Sequence, residues 1–171
     1  VHVKAEHLQR TGSFKPRGAL NLLSSLPPEV TEVVAASAGN HAQGVALAAG
    51  LTGRHATVFM PVSASLPKVQ ATRDYGAEVI LAGETVDDAI ALAKDRAEAT
   101  GAVFASPFDH PLVIAGQGTV GLEIAEDCPE LETVVVPVGG GGLISGIATA
   151  LHHLAPTVRI VGVQAEGAAC L

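Results

Sequence analysis

Six short apolar runs alternate with six longer stretches of helical spacing, and that alternation constrains the fold of this chain more than any other feature. Residues 33–36, 56–60, 78–81, 102–105, 133–138 and 160–163 are brief, rich in Val, Ile and Ala, and mostly bounded by Gly, Pro or Ser. Strands buried on both faces read this way. Helical patterns occupy 15–25, 41–50, 67–75, 86–100, 112–126 and 143–154. The fourth is the clearest: Val86, Ala89, Ile90, Ala93 and Ala97 share one face, Thr85 with Asp88 resembles a capping box, and Gly101 supplies the stop. Repeated strand–helix units imply right-handed crossovers and parallel strands, so the sequence predicts an α/β fold of parallel doubly wound sheets with flanking helices. In such sheets ligands bind beyond the carboxyl ends of the strands. The loops after Ala36 and Val138 are therefore where chemistry is expected.

Charge narrows the function classes. Ten Lys and Arg stand against 17 Asp and Glu, with no Trp and one Tyr, so neither a phosphate-tracking basic surface nor a set of base-stacking platforms is present and nucleic acid is not expected as a partner. The apolar runs break off well before the ~18–20 residues of a membrane span. Cys128 and Cys170 form no C-x-x-C pair, and no secretory leader opens the sequence, so a soluble, cytoplasmic protein whose thiols serve packing is predicted.

A Schiff-base enzyme needs a lysine able to lose its proton near neutral pH, and the chain offers Lys4, Lys15, Lys68 and Lys94. Lys94 falls on a charged helix face, Lys68 follows Pro67 in a polar first turn, and Lys4 reads as part of a short leading strand beside Glu6. Lys15 differs. It follows Thr11, Gly12, Ser13 and Phe14 and precedes Pro16, placing its amine at a helix start, where the positive dipole end and Arg17 disfavour protonation. From spacing alone, a snorkelling surface lysine fits equally well.

Two further segments suit anions. Ser37, Ala38, Gly39, Asn40, His41, Ala42, Gln43 and Gly44 follow a strand and open a helix, so backbone N–H groups and short polar side chains converge there. A helix cap at Ser37 or Asn40 explains the same residues. Gly139, Gly140, Gly141 and Gly142 follow the fifth strand and precede the helix from Leu143, so backbone without Cβ atoms can wrap a phosphate at a helix N-terminus. Gly116, Gly118 and Gly121 match a dinucleotide-binding pattern, but they begin inside a helix rather than after a strand and are assigned to close helix packing. The histidines show no metal-ligand spacing, and His2, His7, His55, His110, His152 and His153 are expected at the surface. No metal site is predicted.

In order and spacing, the lysine motif, the Ser37–Gly44 motif and the tetraglycine turn resemble the fold-type II pyridoxal-phosphate (PLP) enzymes, closest to the threonine dehydratase (threonine ammonia-lyase) and serine racemase branch. The stretches 68–78 and 107–118 extend the resemblance along nearly the whole chain. It implies PLP as cofactor, with Lys15 as the Schiff-base lysine, Phe14 near the pyridine ring, Asn40 on its phenolic oxygen, and Gly139, Gly140, Gly141 and Gly142 with Leu143 on the phosphate. Ser37, Asn40 and His41 would grip the substrate carboxylate. The implied reaction is the deaminating dehydration of L-threonine or L-serine to 2-oxobutanoate or pyruvate plus ammonia. Ala38 stands where the racemases usually carry a second acid/base serine, which favours elimination, and the racemase-type metal site is missing from residues 164–170. The resemblance further implies a catalytic unit about twice this length, in a homo-oligomer (dimer or tetramer). Residues 32–109 would form a small mobile domain, and 1–31 with 110–171 an incomplete large domain with an exposed apolar sheet edge. The rival expectations are an inactive truncated fragment or binding module, a serine racemase, and an NAD-binding protein built on Gly116, Gly118 and Gly121.

Overall fold

The computed structural model describes residues 1–169. Twelve α-helices and strands follow the short 3-10 turn Glu6–Leu8: α1 (Lys15–Ser24), β1 (Glu32–Ala36), α2 (Asn40–Leu51), β2 (His55–Met60), α3 (Leu66–Asp74), β3 (Glu78–Leu81), α4 (Val86–Thr100), β4 (Val103–Phe104), α5 (Pro111–Asp127), β5 (Thr133–Pro137), α6 (Gly142–Leu154) and β6 (Arg159–Val163), with a second 3-10 turn at Glu166–Ala168. The strands divide into two sheets, one ordered β3-β2-β1-β4 and the other β5-β6. All their pairings are parallel. Two expectations need correction. Lys4 lies in no strand: its carbonyl accepts from Glu6 N–H (2.9 Å) within a local turn, and its amine makes ion pairs with Glu123 (2.8 Å) and Asp127 (2.9 Å). The fourth strand is shorter than 102–105, although Ala105 N–H still donates to Val34 O at 2.8 Å.

The four-stranded sheet is doubly wound because alternate residues of β1 serve opposite faces. Val33 and Ala35 join Leu22 and Leu23 of α1 and Val45 and Ala49 of α2 in one core, whereas Val34 and Ala36 meet Ala89, Ala93 and Ala97 of α4 in another. Alanine at three successive turns of α4 lets that helix lie close to the sheet. Its start is the expected capping box, with Thr85 Oγ1 accepting from Asp88 N–H and the Asp88 carboxylate accepting from Thr85 N–H, and Gly101 ends it at φ +74°. The second sheet is covered on one side only. Val134 and Val136 pack with Ile147 and Leu151 of α6, while Val135 points the other way and is 62% exposed. A parallel sheet ordinarily has both faces covered.

Helix α1 runs between α2 and α5 and ties the two sheets together. Close approach explains the glycine string of α5. A Cβ at Gly116 would lie 2.5 Å from Arg17 O, and one at Gly121 would lie 3.1 Å from Ile147 Cα. Gly118 and Gly146 form the α5–α6 crossing, where a Cβ at Gly146 would come 2.5 Å from Gly118 N. The assignment to helix packing therefore holds, and no strand precedes the glycines as a dinucleotide turn requires. Gly146→Ala pushes a methyl into backbone that cannot rotate away and is expected to cost ~1–3 kcal/mol. A thermal melt should show a fall of roughly 2–4 °C for each kcal/mol, and an unchanged midpoint would contradict this account of the crossing.

Candidate functional site

Lys15 is the first residue of α1, with Pro16 behind it in the first turn and Phe14 as N-cap. Gly44 of α2 makes room for this helix start, since a Cβ there would meet the Lys15 carbonyl carbon at 3.1 Å. The Lys15 side chain turns inward, where Nζ donates to the Pro107 carbonyl at 2.6 Å and sits 5.3 Å from the Phe14 ring centroid. Burial lowers its pKa below the usual lysine range by withdrawing water from the ammonium form. Arg17 does not contribute as expected. Its guanidinium is held by Glu6 (2.8 Å) and Glu123 (2.6 Å) with Thr119 Oγ1 at 3.0 Å, so its charge is neutralised beside α5.

The tetraglycine turn leads into α6. Gly141 is its N-cap at φ +84°, a conformation that disfavours any side chain, and no side chain caps the helix. The first N–H groups of α6 thus meet the turn in the arrangement that receives anions. One cavity of about 390 Å³ is lined by Lys15, Phe14, Gly139, Gly140, Gly141, Gly142 and Leu143. Its size is in the range of small-ligand sites, ~300–1,000 Å³. A half-buried amine of lowered basicity and a side-chain-free turn on one wall suit an aldehyde that carries a phosphate, so the residues present fit PLP.

Ser37, Asn40 and His41 do not line this cavity. Ser37 Oγ accepts from Gly39 N–H at 3.1 Å, and the N-cap of α2 is Gly39 without a side-chain bond. Neither Ser37 nor Asn40 caps the helix, which removes that alternative. Asn40 is exposed at the first residue of α2. His41 turns into the protein, is 4% exposed, and donates from Nε2 to the Ala105 carbonyl at 2.9 Å. Burial first, and then the nearby Lys15 charge, push its pKa down to about 4, so the ring is neutral.

Pro107, Phe108 and Gln117 are among the cavity residues that the sequence reading did not assign to the site. Pro107 offers its carbonyl to Lys15, Phe108 lies against the glycine turn, and Gln117 is buried with Oε1 accepting from Gly18 N–H at 3.2 Å. A carbonyl acceptor has no signature in sequence. Gln117 did have one, as the single polar residue of an apolar helix stretch between two glycines. His110, expected at the surface, is half-buried and caps α5 by accepting from Leu112 N–H at Nδ1 (3.1 Å). Cys128 is half-buried at the end of α5, and Cys170 lies outside the described residues. Among the described residues, no helix is long and apolar enough to cross a membrane.

Known proteins share the sequence pattern and the fold of this chain. The L-threonine ammonia-lyase of Geobacter sulfurreducens is 55% identical over 170 residues, covering 98% of this chain and 42% of the relative. The processed threonine deaminase isoform 2 of Solanum lycopersicum superposes with a TM-score of 0.92 at 45% identity, over 94% of this chain and 45% of that one. Maize serine racemase gives 0.91 at 41% identity, over 95% and 50%. The chain thus spans about half the length of these relatives. The family model described as "Pyridoxal-phosphate dependent enzyme" matches residues 1–171, and the chain belongs to that family.

Proposed function

We propose that these residues form the cofactor-anchoring half of a lyase that converts L-threonine, and L-serine, to 2-oxobutanoate or pyruvate with release of ammonia. The observation that carries this is the meeting of the Lys15 amine and the tetraglycine turn on one cavity. Lys15 would hold the cofactor aldehyde, Phe14 would pack beside its ring, and Gly139, Gly140, Gly141, Gly142 and Leu143 would hold the phosphate. When bound, PLP supplies a sink for the electron pair left at Cα. Lys15 would also be the group that takes the Cα proton, and burial, which lowers its pKa, favours the unprotonated amine that this role requires. Departure of the β-hydroxyl and hydrolysis of the product then give the oxo acid and ammonia.

Asn40 would reach the phenolic oxygen and, with Ser37 and the start of α2, would bind the substrate carboxylate once these residues close on the cavity, which they do not line as it stands. His41 supports them from beneath through Ala105. Residues 32–109 act as the small mobile domain. Further sequence completes the large domain, a reading supported by the half-length match and by Val135 on the bare face of the second sheet.

Racemisation is the second reading, since maize serine racemase shares this fold at 41% identity. Ala38 speaks against it, because a methyl group cannot exchange a proton on the far side of the substrate. The intact protein given L-threonine should form 2-oxobutanoate, and L-serine should give pyruvate faster than D-serine. Chiral chromatography beside an oxo-acid assay decides, and D-serine as the main product would refute the lyase assignment.

A further inference from the structure

The four glycines of the turn are glycine for different reasons. Gly141 is at φ +84°, and a Cβ at Gly139 would meet nothing within 4 Å. Gly140 and Gly142 answer to a single neighbour. A Cβ at Gly140 would collide with the Phe108 ring, at Cδ1 and Cγ. One at Gly142 would lie 2.8 Å from the Phe108 carbonyl oxygen and 3.0 Å from its Cα.

Phe108 is 40% exposed, yet its segment is pinned along its length. Ala105 O accepts from His41 (2.9 Å), Pro107 O from Lys15 (2.6 Å), and Ser106 Oγ from Asp109 N–H (3.1 Å). His110 then anchors the segment to α5. A turn of four glycines has the greatest backbone freedom of any sequence and no rotamers of its own to hold it. An N–H grip on an anion depends on geometry, so the turn needs an external template.

We propose that Phe108 is a positioning residue, whose ring shapes the tetraglycine turn and thereby sets how strongly the protein prefers a phosphorylated ring aldehyde over the same aldehyde without phosphate. This rests on the turn being the phosphate site, as argued for the function above.

The probes are pyridoxal 5′-phosphate and pyridoxal, each trapped on the intact protein with borohydride and quantified by mass. The ratio of their half-saturating concentrations measures the phosphate preference. Phe108→Ala is expected to lower that ratio about tenfold, pyridoxal phosphate losing more affinity than pyridoxal, and Phe108→Tyr keeps the wild-type ratio. A fall of less than about threefold in Phe108→Ala overturns the proposal. Gly140→Ala gives an independent arm that does not need Phe108→Ala to fold. Its methyl strikes the ring, so the ratio should drop about tenfold, and combining it with Phe108→Ala should lower the ratio little further, because both changes act on the same contact. A ratio in Gly140→Ala within about threefold of wild type, or losses that add in full in the double variant, overturns the proposal as well. If the wild-type protein shows no phosphate preference, the phosphate site itself is wrong and the role of Phe108 falls with it. That result is distinct from a preference that survives loss of the ring.

Discussion

Lys15→Ala is expected to leave a folded protein that no longer retains cofactor through borohydride reduction, with lyase activity lower by ~10²–10⁴-fold or more, the range for loss of a general base alone. The fold should survive because the amine makes one hydrogen bond, to Pro107 O, on a cavity wall that water can reach. Losing such a bond costs ~0.5–1.5 kcal/mol. Lys15→Arg should not rescue, since a guanidinium keeps its proton and cannot attack an aldehyde. Mass spectrometry after reduction reports the outcome directly. Wild type should carry a pyridoxyl adduct on Lys15, and an adduct of equal yield on Lys4, Lys68 or Lys94 in the variant would end the assignment of Lys15. Lys4 is a poor competitor because its ion pairs with Glu123 and Asp127 raise its pKa.

Most of this site was legible in sequence because its parts are local. A lysine before Pro16, a run of four glycines after a strand, and a Thr85–Asp88 pair before a helix each report on backbone within a few residues. Helix and strand positions accordingly agree to within one or two residues, as for 86–100, which is α4 as observed. What depends on distant pairing was not legible. The strand order β3-β2-β1-β4, with β1 lying between β2 and β4, is a matter of tertiary packing rather than periodicity. The orientation of His41 was hidden for the same reason. Its position beside Asn40 suggests a ligand-facing ring, but the ring faces Ala105, 64 residues away. The sequence also places Arg17 two residues from Lys15 without showing that Glu6 and Glu123 have claimed its charge.

The buried His41 ring makes a second large effect predictable, a loss of stability on mild acidification. In the unfolded chain a histidine titrates near 6.5, whereas burial holds the folded ring at about 4. Between these values the unfolded state binds the extra proton, so stability falls as pH falls through this window and is complete above it. The loss reaches on the order of 3 kcal/mol by pH 4, at ~1.4 kcal/mol per unit. Glu123 acts in a different window. Hydrogen bonds from Arg17, then Lys4, hold its pKa at about 2, so its contribution is present above the ordinary carboxylate range and is lost only as pH drops towards 2. Denaturant melts between pH 7 and 4.5 therefore isolate the histidine. His41→Gln keeps an N–H donor for Ala105 O but cannot take up a proton, so its denaturation midpoint should be nearly flat over the interval in which the wild-type midpoint declines. An equally steep decline in the variant would mean that the ring is not the group excluding the proton, and that the contact beneath the Ser37–Gly44 loop does not depend on a neutral histidine.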